Sequence, residues 1–371
     1  MKIGILIPGF SASEDDWAIP VQQTLVRELS QTDDVRVIAL RYPHHRNPYR
    51  IYGATVYPLG AGAWARGKAR LRLWRDTLLL LRRLHKQQAF DVLHAMWADE
   101  TGLLAVWAGR WLGIPVVVSI AGGELVGFED IDYGLQRSRF SRWTVGQALR
   151  GAQVIVGASS YSIGRIAAAG YRISSEKIYL IPLGIDTDFF TPASSAPISN
   201  HLIHAASLVG VKDQATLLRA IHRLQDVTVD IIGEGPLRPP LEALSSQLGI
   251  ESRVQFLGAV HHLDMPNHYQ QAALHILTSR HEGQGMVTLE AAACAVPTIS
   301  TAVGLVPDVP EIGLTVPVGD DAALAAAIRS LLNDAARRAQ LAESALHATR
   351  TRFTIQQTAA ALRTLYGGLS V

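Results

Sequence analysis

Glu282 and Glu290 stand in one short run, Ser279-Arg280-His281-Glu282-Gly283-Gln284-Gly285-Met286-Val287-Thr288-Leu289-Glu290. It follows an apolar, strand-like segment, passes two glycines and opens a helical pattern near Met286. Amide groups at a helix start, here those of Gln284, Gly285, Met286 and Val287, bind phosphate with help from the helix dipole. Gly283 and Gly285 let a bulky anion approach the chain closely. Glu290, about one turn into the helix, is set to accept hydrogen bonds from ribose hydroxyls. Glu282, on the loop, can reach the hydroxyls of a sugar carried beyond the phosphates. The plain structural alternative is a loop whose Glu282 only caps a helix.

The elements that must hold this run follow from hydrophobic patterning. In the first half, residues 2–8, 35–40, 91–96, 115–120, 153–159 and 177–182 are short apolar runs, most of them continuous rather than alternating. That is the pattern of parallel strands covered on both faces. Segments between them, such as 100–112 and 160–169, have helical spacing. Residues 183–200, with Pro192, Pro197 and clustered Ser and Ala, read as a linker. Strand-like runs then restart at 201–207, 227–233, 253–258, 274–279 and 297–302, with helices at 214–224, 237–248 and 286–295. The last part, about 320–369, is nearly all helical. The chain of 371 residues is thus expected to be α/β, with two Rossmann-like domains facing an inter-domain cleft lined by the carboxyl ends of both sheets.

Composition narrows the class. An apolar fraction of 48% with 18% charged residues belongs to a globular chain, and a formal charge of +2 gives no argument for nucleic acid. Cys294 is the only cysteine, which excludes an intrachain disulfide and a cysteine-rich metal site and makes a cytoplasmic location the default. The first apolar run is stopped by Pro8-Gly9 and is too short for a signal core. No run approaches the ~20 apolar residues needed to cross a bilayer.

The glutamate pair, with Ser-x-x-Glu-Gly before and Leu-Glu-Ala-x-Ala-Cys-x-x-Pro after it at 279–297, resembles glycosyltransferase family 4, whose members have the GT-B architecture. Ile232-Gly233-Glu234-Gly235-Pro236, Val254-Gln255-Phe256-Leu257-Gly258, Ile181-Pro182-Leu183-Gly184-Ile185-Asp186 and Asp91-Val92-Leu93-His94-Ala95 match in the same order. The resemblance implies an acceptor-binding domain at 1–185, onto which a helix at 354–371 packs back, and a nucleotide-sugar domain at 186–353. It implies transfer of sugar from a nucleoside-diphosphate sugar to an acceptor hydroxyl with retention at the anomeric carbon. The acceptor would be a glycan, a lipid-linked molecule or a small molecule. Lys212 and Glu282 take the catalytic positions, Lys212 on the donor diphosphate. Gly9, Ser207, Gly233 and Val260 join the donor-binding set, and Glu124 falls on the acceptor side. No metal and no resident cofactor are expected.

Two positions depart from the family pattern. Ser207 stands where an arginine is usual, a loss worth roughly 10²–10³ in rate unless compensated, and Arg280 is the nearest substitute charge. Ala121 replaces the histidine of a His-Gly-x-Glu/Asp segment, which here reads Ala121-Gly122-Gly123-Glu124. These departures keep a non-catalytic sugar-nucleotide-binding or partner subunit as the rival reading, with an epimerase of the same architecture third. Asp186-Thr187-Asp188 has a metal-binding form but lies in the linker, where a turn is expected. Gly233-Glu234-Gly235 lacks the third glycine of a dinucleotide fingerprint. Residues 66–86, from Arg66 to Lys86, form a basic amphipathic helix. Two readings stay open for it: peripheral contact with an anionic membrane on its inner face, or core packing with a solvated basic face.

Overall fold

A computed structural model describes residues 1–16, 19–62, 66–194 and 197–369. Unit 1 takes Met1–Glu129, Gly134–Pro182 and the C-terminal segment from Ile355, and unit 2 takes Asp130–Tyr133 and Leu183–Thr354.

In unit 1 the strands are β1 (Lys2–Gly9), β2 (Asp34–Tyr42), β3 (Tyr49–Ile51), β4 (Ala54–Pro58), β5 (Val92–Ala95), β6 (Val116–Ile120), β7 (Val154–Gly157) and β8 (Ile178–Leu180). Among the described residues they lie in the order β3-β4-β2-β1-β5-β6-β7-β8, every neighbouring pair parallel except β3 with β4. Helices α1 (Pro20–Leu29), α2 (Gly67–Gln87), α3 (Glu100–Leu112), α4 (Arg139–Gly151) and α5 (Ser160–Ala168) make the crossovers. Ile3, Ile5, Leu6 and Ile7 of β1 are all buried, as a central strand covered on both faces requires. Start signals are local: Asp99 caps α3 through the Thr101 amide, and Ser159 and Ser162 form a capping box on α5.

Unit 2 repeats the plan with β9 (His201–Ala205), β10 (Thr228–Ile232), β11 (Val254–Gly258), β12 (Leu274–Leu277), β13 (Thr298–Thr301) and β14 (Gly313–Val316). The order is β11-β10-β9-β12-β13-β14, all parallel. Its helices are α6 (Gln214–His222), α7 (Arg238–Gln247), α8 (Met265–Gln271), α9 (Met286–Ala293), α10 (Asp321–Asn333) and α11 (Ala335–Arg352). The chain then returns to unit 1 as α12 (Ile355–Gly367), where the Tyr366 hydroxyl lies 2.6 Å from His94 Nδ1 and Arg363 Nε donates to Asp33 at 2.7 Å. Burial drives the His94 imidazole pKa down to about 3, so it is neutral, and its other nitrogen lies 2.7 Å from the Ser119 hydroxyl.

Both sheets are the doubly wound kind expected from the apolar runs. Strands β3, β4 and β14 and helix α8 go beyond that expectation, because runs of three to seven residues carry too few periods to declare themselves. No helix among the described residues is long and apolar enough to cross a membrane.

Candidate functional site

The carboxyl ends of β9 and β12 supply two loops that are tied together before any ligand arrives. After β9 the chain makes a short turn over Gly210–Lys212 and enters α6. After β12 it runs through the Glu282 loop into α9. The Thr278 hydroxyl donates to the Lys212 carbonyl at 2.9 Å, and the Arg280 amide donates to the Val211 carbonyl at 2.7 Å. With the backbones clamped, Lys212 Nζ donates to Glu282 Oε1 at 2.5 Å and the Ser279 hydroxyl donates to the same oxygen at 2.6 Å. The Lys212 side chain keeps 24% exposure against 11% for Glu282, so the ammonium is the more accessible partner.

Below this cluster lies a buried polar layer. His204 Nδ1 is 2.9 Å from the Ile276 carbonyl, an acceptor only, so that nitrogen carries the proton. Burial lowers the His204 pKa to about 4, leaving Nε2 to accept from Gln214 Nε2 at 3.3 Å. The same Gln214 amide donates to the Ser207 carbonyl at 3.0 Å and so fixes the backbone of that exposed residue.

Gly285 holds the N-terminal cap position of α9 at φ +83, a left-handed conformation that glycine adopts without the Cβ penalty. Its neighbour Gln284 does not face outward: its carbonyl accepts from the Leu183 amide at 2.9 Å and its amide donates to the Leu183 carbonyl at 2.7 Å. Gln284 therefore ties the linker to the loop between Glu282 and the helix. Met286, Val287 and Val260 are partly buried and pack on one apolar cluster with Leu257 and Phe189. Gly233 meets a second constraint, since a Cβ there would lie 2.0 Å from the Ala206 carbonyl oxygen and force apart the loops after β9 and β10.

Glu290 accepts from the Tyr269 hydroxyl at 2.8 Å. Burial pushes its pKa up to about 7, with the tyrosine bond pulling the other way. The sequence reading does not contain Tyr269, which is fully buried on the seven-residue α8. Ser279 stands inside the quoted motif, and its three-residue spacing to Glu282 is the available signal for their bond.

The site residues fall in both units. Ser207, Lys212, Gly233, Val260, Glu282, Gln284, Gly285, Met286, Val287 and Glu290 belong to unit 2, and Gly9 and Glu124 to unit 1. Gly9 closes β1, and the next amide, that of Phe10, donates to the Tyr42 carbonyl at 3.0 Å. Glu124 is only 1% exposed, and its carboxylate accepts from the amides of Gly122 at 2.6 Å, Ala121 at 3.0 Å and Ala98 at 3.4 Å. Burial raises its pKa despite those bonds. Arg280, the candidate substitute for the missing arginine, is bound through both terminal nitrogens to Asp130. In the linker, Asp186 accepts from the amides of Asp188 and Phe189 at 3.1 and 3.2 Å, a side-chain-capped turn.

Comparisons with known proteins bear on the fold and on the kind of enzyme the chain is similar to. Residues 199–334 match a family model described as glycosyl transferases group 1, and residues 19–184 one described as a glycosyl transferase 4-like domain. The chain is 32% identical over 221 residues to D-inositol 3-phosphate glycosyltransferase of Xylanimonas cellulosilytica, covering 53% of this chain and 52% of that protein. It is 29% identical, over 53% of itself and 57% of the relative, to the GDP-mannose-dependent alpha-(1-6)-phosphatidylinositol monomannoside mannosyltransferase of Mycolicibacterium smegmatis. The chain thus spans little more than half the length of these curated relatives. Among solved structures it is similar to sucrose-phosphate synthase from Thermosynechococcus elongatus, with a TM-score of 0.81 at 20% identity over 100% of this chain and 99% of that one. It is also similar to HepE of Anabaena in complex with UDP, with a TM-score of 0.76 at 19% identity over 99% and 100%. The fold is GT-B, two Rossmann-like domains, and sequence matches to glycosyltransferase domains fall in both units.

Proposed function

We propose, from that kinship and the Lys212–Ser279–Glu282 cluster, that this protein transfers a glycosyl group from a nucleoside-diphosphate sugar to an acceptor hydroxyl with retention. The observation that carries the reading is the convergence of a lysine and an oriented carboxylate on the loop that starts α9. In the reaction the bond from the anomeric carbon to the diphosphate breaks and one to the acceptor oxygen forms on the same face. The acceptor proton passes to an oxygen of the departing diphosphate. Lys212 and the amides at Gly285 and Met286 meet the charge that builds there, where preorganised donors act most strongly. Glu282 holds the sugar hydroxyls and Glu290 the ribose. No resident metal is required, because the cation and the helix start do the neutralising.

Unit 1 would take the acceptor, with Glu124 shaping the Ala121-Gly122 loop from beneath. A lipid-linked acceptor at the cytoplasmic membrane face fits the outer surface of unit 1. Phe140 and Trp143 of α4, Trp111 of α3 and Leu71 and Leu79 of α2 are exposed there, and Arg70 and Arg82 lie over Phe140 and Trp111. Aromatic groups beside cations suit an anionic membrane interface. Pelleting with phosphatidylglycerol vesicles but not with pure phosphatidylcholine is the expected result.

The rival, a non-catalytic nucleotide-sugar-binding subunit, draws support from Ser207 and from the engagement of Arg280 with Asp130. Proton NMR of the product separates the two readings. An α-linked sugar from an α-configured donor supports retention, a β-linked product overturns it, and no product under any donor supports the subunit.

A further inference from the structure

A cavity of about 400 Å³ in unit 1 lies where the carboxyl ends of β2 and β4 meet the start of α2. Arg46, from the chain after β2, and Lys68 and Arg72, from the first turns of α2, line it. Gly60 and Gly62, on the loop after β4, form another wall. None of the three cations is engaged in an ion pair with a described residue. The contrast with neighbours is sharp. Arg41 and Arg70 are both committed to Glu100, and Arg41 also donates to the Gly62 carbonyl at 2.9 Å. Asp76 is the one acid on the wall, and Arg75 already holds it at 2.8 Å. Three exposed cations thus line one concavity whose single acid is shared with Arg75. An anion seated there would be attracted by all three and would relieve their mutual repulsion.

The α2 start adds to the field. Among the described residues no side chain caps that end, and although the Ala69 amide donates to the Arg66 carbonyl at 3.2 Å, the positive pole of a 21-residue helix lies beside Lys68.

We infer that this cavity binds a phosphate group, and that the acceptor of the proposed transfer carries a phosphomonoester or phosphodiester held by Arg46, Lys68 and Arg72. The acceptor role rests on the transfer reading above; the anion site does not. Two guanidinium groups and an ammonium match a phosphate's several acceptor oxygens, whereas a neutral glycan would leave all three charges unmet. The same phosphate chemistry can arrive on a soluble sugar phosphate or on a phospholipid headgroup.

Calorimetric titration of the full chain tests this without turnover. The probes are inorganic phosphate, glycerol 3-phosphate, glucose 6-phosphate and glucose, together with phosphatidylglycerol–phosphatidylcholine vesicles. We expect a phosphate ester or the phospholipid vesicles to bind and glucose not to. Arg46→Gln and Arg72→Gln should each weaken binding about tenfold, with binding of the nucleotide sugar unchanged. Binding of soluble esters identifies a phosphorylated small acceptor. Binding of vesicles alone, lost in Arg46→Gln, identifies a lipid headgroup, since Arg46 is off the basic helix and general adsorption would not notice it. Absence of binding by every phosphate probe, or equal binding in the variants, overturns the site. A chain that binds phosphate through these residues yet transfers no sugar would leave the site standing and sink the proposed activity.

Discussion

The two units handle cationic side chains in opposite ways. In unit 2, Lys212 is already neutralised by Glu282, which Ser279 orients, and the backbones beneath are locked by Thr278 and Arg280. In unit 1, Arg46, Lys68 and Arg72 line a cavity whose one acid, Asp76, is held by Arg75. A pre-paired lysine holds its position before the ligand comes, at the cost of exchanging one anion for another on binding. An unpaired cluster gains more from an anion but is less ordered beforehand. The contrast suits a diphosphate leaving group, whose contacts must be preorganised for chemistry, against a phosphate handle that needs only to be captured.

The largest expected effect breaks the unit 2 side of that comparison. Lys212→Ala and Glu282→Gln should each lower kcat by roughly 10²–10³ while far-ultraviolet circular dichroism stays native. Next comes Glu124, whose carboxylate is spent on backbone rather than offered outward. Glu124→Ala strands the buried Ala98 amide and takes an acceptor from the half-buried amides of Ala121 and Gly122, so a loss of about 1–3 kcal/mol is expected in denaturant unfolding, with nucleotide binding unchanged. A large loss of acceptor affinity at unaltered stability would instead put Glu124 in contact with acceptor.

A smaller effect concerns pH. The folded pKa of Glu290, near 7, lies above its ordinary value of 4.5, so between those values the folded chain binds more protons than the unfolded one. Its contribution to stability is complete below about pH 4.5 and is lost as pH rises towards 7. Glu290→Gln should remove this decline, visible as a flatter dependence of Tm on pH from 5 to 8. Donor KM in the wild type should fall over the same rise, as the carboxylate becomes able to accept from ribose. The smallest effect is none at all: EDTA should leave turnover unchanged, and loss of activity restored by magnesium would show that Lys212 and the α9 start do not suffice.

The repeated βα units were legible because continuous apolar runs of parallel strands need no long-range information. The Glu282–Glu290 run was legible for the same reason, since its loop, glycines and helix start are contiguous. Its partnership with Lys212 was not, because the two residues are brought together only by β9 lying beside β12 and by the Thr278 and Arg280 bonds. Tyr269 was hidden on a helix too short to show a period. The inward turn of Gln284 and Glu124 was hidden because sequence gives a residue's type and not its side chain's direction. Likewise the Arg46–Lys68–Arg72 cavity exists because β2 pairs with β4, a strand too short for patterning to reveal.

The account's central claim is tested most directly by release of nucleoside diphosphate from UDP- and GDP-sugars, by wild type and by Lys212→Ala, with EDTA present. Release from one base series by the wild type, cut by two to three orders of magnitude in the variant, is the predicted result. Release equal in both proteins, or none by the wild type from any sugar nucleotide with phosphorylated acceptors supplied, would contradict it.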